Sequence, residues 1–233
     1  MVNLAVEQTL ADVVNTVPGS ARVLEAFGLD YCCGGRRPLG EACTKAGVDP
    51  QAVLDALSAG ELGPEPNWAA MTPTELVDHL EATHHAYLHT ELERLETLSG
   101  KVASSHGDRH PELLEVRAIC TEIREDLEPH MMKEERVLFP MIRELADSPV
   151  TPTFHCGSVR NPISMMMLEH EHTGVLLEKL RALTDGYQTP RNGCASYRTL
   201  YEGLAQLEAD THLHIHKENN LLFPAVVALE EPG

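Results

Sequence analysis

His130-Met-Met-Lys-Glu134-Glu-Arg-Val-Leu-Phe-Pro140 returns 84 positions later as His214-Ile-His-Lys-Glu218-Asn-Asn-Leu-Leu-Phe-Pro224. Both stretches read H-x-x-x-E-x-x-x-x-F-P. In an α-helix, positions i and i+4 lie one turn apart on one face. Each copy therefore aims an imidazole and a carboxylate at the same point. The repeat extends further: at an offset of 85, His85 falls on His170, and Leu92-Glu-Arg-Leu95 falls on Leu177-Glu-Lys-Leu180. The pattern predicts two related helical hairpins. Each offers one His from its first helix, and His plus Glu from its second.

The rest of the chain supplies four long helical segments for these hairpins. Thr72-Pro73-Thr74-Glu75 is a capping box with proline at the first helical position, and apolar spacing carries that helix to Gly100. The second helix is expected over 111–145, bent where Pro129 and Pro140 each remove a backbone donor. The third spans 162–184 and the fourth 195–229, with Pro224 inside it. The connections 100–110, 146–161 and 185–194 are polar and rich in Gly, Pro and Ser. This predicts an all-α, up-down four-helix bundle over residues 72–230. Residues 1–59 read as a small helical domain, with short helices over 9–17, 20–27, 38–46 and 50–59. Residues 60–71 read as a flexible linker.

Composition agrees with that class. Apolar residues make up 42% of the 233 and aromatics 4%, which favours Leu- and Ala-rich helices over a β-sandwich. A formal net charge of −18 excludes nucleic acid as a partner and argues against membrane attachment through basic patches. No apolar run approaches ~18 residues, so no transmembrane helix is expected. The first residues lack the basic and apolar regions of a signal peptide, which points to the cytoplasm. The six cysteines are scattered and are expected to be reduced.

The repeat selects His85, His130, Glu134, His170, His214 and Glu218 as metal ligands. A single histidine in such a chain is ordinarily a surface or satisfied core residue; two matched sets are not. Four imidazoles exceed the needs of one tetrahedral zinc, calcium and magnesium prefer oxygen, and a mixed His and carboxylate set suits iron. With both carboxylates bridging, each of two irons receives two nitrogens and two carboxylate oxygens. A solvent-derived oxo or hydroxo bridge then leaves one octahedral position open at each. Ferritin-like ligation needs two E-x-x-H pairs, and only Glu81-x-x-His84 is found. His84 and His85 point about 100° apart, so only one can face the metals, and the repeat selects His85. His79, His84, His89, His172, His212 and His216 are left facing solvent or behind the ligands. Glu135 lies outside the repeat and reads as a solvated charge. Phe139 and Phe223 read as core packing that walls the site.

Asp30-Tyr31-Cys32-Cys33-Gly34-Gly35 is the other chemical feature. Adjacent cysteines form only a strained disulfide, and the glycines leave the thiols accessible. A redox, thiol-transfer or metal-passing role for Cys32 and Cys33 is therefore expected. Cys43, Cys120, Cys156 and Cys194 read as isolated thiols.

Taken together, Asp30-Tyr-Cys-Cys-Gly-Gly35, His130-Met-Met-Lys-Glu134-Glu with Leu138-Phe-Pro140, Pro162-Ile-Ser with Glu169-His170, and Glu218-Asn-Asn with Leu222-Phe-Pro224 resemble the iron–sulfur cluster repair di-iron proteins, also called repair of iron centres. The resemblance covers nearly the whole chain. It implies a hemerythrin-like bundle with a non-haem di-iron centre whose ligands fall on the six residues above, and an N-terminal cysteine pair at Cys32 and Cys33. It further implies a cytoplasmic, bacterial stress-response protein. Such a protein restores iron–sulfur clusters damaged by nitric oxide or peroxide, through iron donation or redox chemistry. Its partners would be damaged iron–sulfur proteins, with nitric oxide or oxygen as small ligands. The alternatives are a di-iron nitric oxide reductase, or a non-catalytic carrier or sensor of oxygen or nitric oxide.

Overall fold

The computed structural model describes residues 4–59, 66–149 and 152–230. Four short helices come first: α1 (Leu10–Thr16), α2 (Ser20–Ala26), α3 (Leu39–Ala46) and α4 (Pro50–Ala59). Thr9 and Asp12 form a capping box at the start of α1. At the end of α3, Gly47 adopts φ 70°, a left-handed conformation that glycine takes without strain.

Of the expected linker, residues 60–65 lie outside the described residues, as do residues 1–3 of the small domain. Residues 66–71 are not a bare tether. Trp68–Ala70 form a 3-10 turn, and Trp68 is buried under the Lys217 ammonium, 4.2 Å from its ring centroid.

Thr72 and Glu75 then cap α5 (Pro73–Leu80) reciprocally, as the sequence predicts. A π-helical turn, Glu81–His85, joins α5 to α6 (Ala86–His106). The second bundle helix is α7 (Glu112–Lys133), a π turn at Glu134–Leu138, and α8 (Phe139–Asp147). The third is α9 (Arg160–Leu183), without interruption. The fourth is α10 (Ala195–Lys217), a π turn at Glu218–Leu222, and α11 (Phe223–Glu230). Helices α6, α7, α9 and α10 are neighbours in that cyclic order, the up-down bundle expected. The first helix does not stop at Gly100. Val102 and Ala103 are buried against α7 and continue the apolar face, and this burial outweighs the glycine.

The wide turns have local causes. Pro140 offers no N–H to the carbonyl four residues back, and its ring needs room there. The turn before it widens, so that Phe139 N–H donates to Glu134 O. Phe223 N–H does the same to Glu218 O ahead of Pro224. At Glu81–His85 no proline follows. Instead the Thr83 hydroxyl donates to His79 O at 2.7 Å and competes with the backbone ladder.

The apolar interior lies in two parts. One, from Leu88 to Leu207, fills the bundle between α6, α7, α9 and α10. The other joins the small domain to α5, α8 and α11, running from Leu10 through Leu80 and Phe139 to Val226. A layer of buried polar side chains separates them. Leu80 is fully buried in the second part, so Leu80→Ala is expected to cost about 2–5 kcal/mol in urea unfolding. A loss below about 1 kcal/mol would show that α5 is not packed into this core.

Candidate metal centre

All six residues selected from the repeat converge in that polar layer, and each is at most 2% exposed. They form two sets of donors, each within 4.8 Å: His85, Glu134, His214 and Glu218 in one, His130, Glu134, His170 and Glu218 in the other. Both carboxylates belong to both sets. The imidazoles pair across the hairpins rather than within them. His85 Nε2 lies 3.2 Å from His214 Nε2, and His170 Nε2 lies 3.1 Å from His130 Nε2. The spacing in sequence does not predict this pairing; it follows from the cyclic order of the helices.

These donors fit cations. Glu134 Oε2 lies 3.3 Å from His130 Nε2 and 3.5 Å from His85 Nε2. Glu218 meets His214 Nε2 and His170 Nε2, both at 3.2 Å. All four carboxylate oxygens are nonetheless buried without a hydrogen-bond partner among the described residues. Burial alone would push both carboxyls up, and the Glu218 charge adds to this at Glu134, but the facing imidazoles hold both below the usual carboxylate range. Burial likewise would depress His130, but Glu134, Glu218 and Glu169 outweigh it and raise its pKa to about 9. The layer thus demands positive charge, from protons or from metal, between two carboxylates.

Polar groups behind the imidazoles fix three of them. Glu135 Oε1 accepts from His85 Nδ1 at 2.9 Å and from His89 Nε2 at 3.0 Å. Glu169 Oε2 accepts from His130 Nδ1 at 2.8 Å and is itself tied to Lys133. Asn219 Oδ1 accepts from His170 Nδ1 at 2.9 Å. Such partners set the tautomer and raise the basicity of a metal-binding imidazole. Glu135 is therefore not a solvated charge. It corresponds to Asn219 in the repeat, and both perform the same task. The match was hidden because it lies in hydrogen-bond acceptance, not in charge. Phe139 stacks on His85 and Phe223 on His170, with centroids 5.4 and 6.1 Å apart, walling the site as expected.

The remaining histidines divide. His89 and His172 are exposed. His84 is buried, with Nδ1 on Asp210 Oδ1 at 2.9 Å, and its ring lies parallel to His214. His216 is also buried and holds the small domain to α10. Its Nδ1 donates to Tyr31 O at 3.2 Å, and its Nε2 faces the Asn15 amide at 2.9 Å.

The cysteine loop is seated by the same helix. Asn220 Nδ2 donates to Cys32 O at 2.9 Å, and a Cβ on Gly35 would come within 2.6 Å of Asn220 Oδ1. Asp30 Oδ1 accepts from the backbone N–H groups of Cys32 and Cys33 and from the Cys32 thiol. The two sulfurs are 3.9 Å apart and unbonded. Cys33, burial and the Asp30 carboxylate push the Cys32 thiol well up, so it stays protonated. Cys33 is exposed and lies over Gly174, one turn of α9 beyond His170. Both cysteines face a cleft of about 660 Å³ between the small domain and the bundle, bordered by Arg37, Glu171, Glu178 and Arg181.

The family model for the hemerythrin HHE cation binding domain matches residues 76–226, and that for ScdA_N, a domain of unknown function, matches residues 6–61. Among curated proteins, the chain is 36% identical to the iron-sulfur cluster repair protein YtfE of Musicola paradisiaca, covering 94% of this chain and 95% of that one. It is 32% identical to YtfE of Cronobacter sakazakii (97% and 98%) and 30% identical to the iron-sulfur cluster repair protein ScdA of Staphylococcus haemolyticus (93% and 96%). The chain belongs to this family of hemerythrin-domain, iron–sulfur cluster repair proteins. No helix among its described residues is long and apolar enough to cross a membrane.

Burial holds His216 at a pKa of about 4, well below the ordinary 6.5, against the weaker opposing effect of its bond to Tyr31 O. A folded-state pKa below the unfolded one contributes stability that is present above pH 6.5 and lost as pH falls towards 4. The contribution is on the order of 3 kcal/mol. Urea midpoints between pH 7 and pH 4 should therefore fall less steeply in His216→Gln than in the parent. Equal slopes would show that His216 does not carry this dependence.

Proposed function

We propose that His85, His130, Glu134, His170, His214 and Glu218 hold two non-haem iron ions joined by a solvent-derived oxo or hydroxo bridge. We propose further that the protein uses this centre, in the cytoplasm, to help repair iron–sulfur clusters damaged by oxidative or nitrosative stress. The observation that carries the reading is the pair of four-donor sets sharing both buried carboxylates. Two imidazoles and two shared carboxylates per ion form a nitrogen and oxygen set that suits iron. The near full-length similarity to named repair proteins supports the purpose.

In this reading, bound iron supplies either an ion that can be donated to a damaged cluster or one-electron chemistry. The protein's own residues do the rest. Glu134 and Glu218 offset the positive charge and set the spacing. Glu135, Glu169 and Asn219 hold His85, His130 and His170 in the tautomer that points Nε2 inward. Phe139 and Phe223 exclude water from one side. Cys32 and Cys33 serve thiol or electron exchange with the client protein. Cys33 presents the accessible sulfur, and Cys32 keeps its proton in reserve.

Metal analysis with a visible spectrum tests the centre. Two irons per chain are expected, matching the two donor sets. Glu134→Leu and Glu218→Leu should each lower retained iron by roughly 10-fold or more. One zinc and no iron would sink the proposal. The cysteine role is tested separately by Cys32→Ser combined with Cys33→Ser. Recovery of a damaged iron–sulfur enzyme should fall while iron content holds, and undiminished recovery would remove the cysteines from the mechanism.

A further inference from the structure

The internal repeat is its own control, because the side chains around the centre on one hairpin have counterparts 84 or 85 positions away on the other. At the six converging residues the two halves agree. Behind the first-helix imidazoles they also agree in effect: Glu135 accepts from His85 Nδ1 and its counterpart Asn219 from His170 Nδ1. Behind the second-helix imidazoles they do not. His130 Nδ1 has Glu169, which is tied to Lys133. The counterpart of Glu169 is His84, and that of Lys133 is Lys217.

His84 does not take over the task of Glu169. Lys217 Nζ donates to His84 Nε2 at 2.7 Å, which leaves the His84 proton on Nδ1, bonded to Asp210 Oδ1 at 2.9 Å. Both nitrogens are thus engaged elsewhere. The ring turns its face to His214, with centroids 5.4 Å apart and planes 8° from parallel. A face offers no acceptor in the plane of the neighbouring ring. His214 Nδ1 is accordingly buried with no hydrogen-bond partner among the described residues, and so is the hydroxyl of Thr211, one turn earlier on α10.

The consequence falls on one donor set. Each set has one imidazole backed by a carboxylate, His85 by Glu135 and His130 by Glu169. In the second set the other imidazole, His170, is backed by Asn219; in the first no described residue accepts from the other imidazole, His214. An imidazole without such a partner has no hydrogen bond to set its tautomer or raise its basicity, and it is a weaker donor. Removing such a partner typically costs 10–100-fold in metal affinity. We infer that the two halves of the centre hold their ions unequally: the set containing His85 and His214 releases first, and the set containing His130 and His170 retains. This rests on the two-ion reading above and deepens it by naming which ion is donated.

The test uses the full chain loaded with ferrous iron and challenged anaerobically with excess ferrozine. Two phases of equal amplitude are expected, with rate constants roughly 10-fold or more apart. Asn219→Leu removes the acceptor behind His170 and should speed the slow phase alone. His84→Glu supplies a carboxylate where the repeat has Glu169, opposite Lys217, and should slow the fast phase towards the slow one. In crystals soaked until half the iron is gone, the anomalous signal should remain between His130 and His170. That measurement and the Asn219→Leu result decide the matter even if His84→Glu fails to fold. One rate constant for both ions, an Asn219→Leu effect on the fast phase, or residual iron between His85 and His214 would overturn the inequality. A preparation that never loads more than one ion would instead overturn the two-ion reading itself.

Discussion

Glu134 and Glu218 face each other inside a helical bundle with no solvent contact, and most of the architecture answers that placement. Two buried like charges are tolerated only where positive charge sits between them. Four imidazoles converge on the pair from all four bundle helices, so the layer forms only when both hairpins are docked. The layer also divides the apolar interior in two. Three of the four bundle helices carry a wide turn at this level, and two of those turns begin at the glutamates themselves. π-helical turns cost hydrogen-bond geometry and cluster at functional sites. Here they let the helices change phase between the polar layer and the apolar packing beneath it.

What could be read from the sequence was whatever the repeat preserved as identical residue types. His85 was separable from His84 because only one of them has a histidine counterpart, and the structure brings that one to the carboxylates. The bundle, its capping box and the phenylalanine walls were legible for the same reason, since local signals and the repeat agree. The role of Glu135 was not legible. Its counterpart is an amide, and a search for matching charge discards a pair related only through hydrogen-bond acceptance. The extension of α6 past Gly100 is not legible either, because burial of Val102 and Ala103 outweighs a single glycine, and burial is not visible in a local window. The pairing of imidazoles across hairpins depends on which helices are neighbours, and periodicity does not contain that information.

The cysteine loop shows a second kind of illegible feature. Asp30-Tyr-Cys-Cys-Gly-Gly35 was recognisable as chemistry, but nothing in it announces the helix it sits on. The contact is made by His216 and Asn220 to backbone carbonyls of Tyr31 and Cys32, and any sequence offers carbonyls. The close approach explains Gly35, where a Cβ would collide with Tyr31 O at 2.5 Å. The loop thereby lies over α10 and α9 beside the layer that holds His170, not at the end of a free tether.

That docking also accounts for where the two halves of the bundle diverge. His216 and Asn220 seat the small domain on the fourth bundle helix; their counterparts on the second are Met132 and Arg136, both exposed. Lys133 lies near the surface with Glu169, whereas Lys217 is buried, reaching His84, His79 and the ring of Trp68. These divergences fall on the flank that receives the small domain and the segment leading from it. Six residues that must surround cations stayed equivalent because the chemistry allows little else. The residues behind them were free to serve a second purpose, and on one flank they do. His84 is the point where the two demands meet. The bonds that tie it to Lys217 and Asp210 are the reason it has none to give His214, so the one-sided docking of the small domain and the unsupported imidazole of the centre have a common origin.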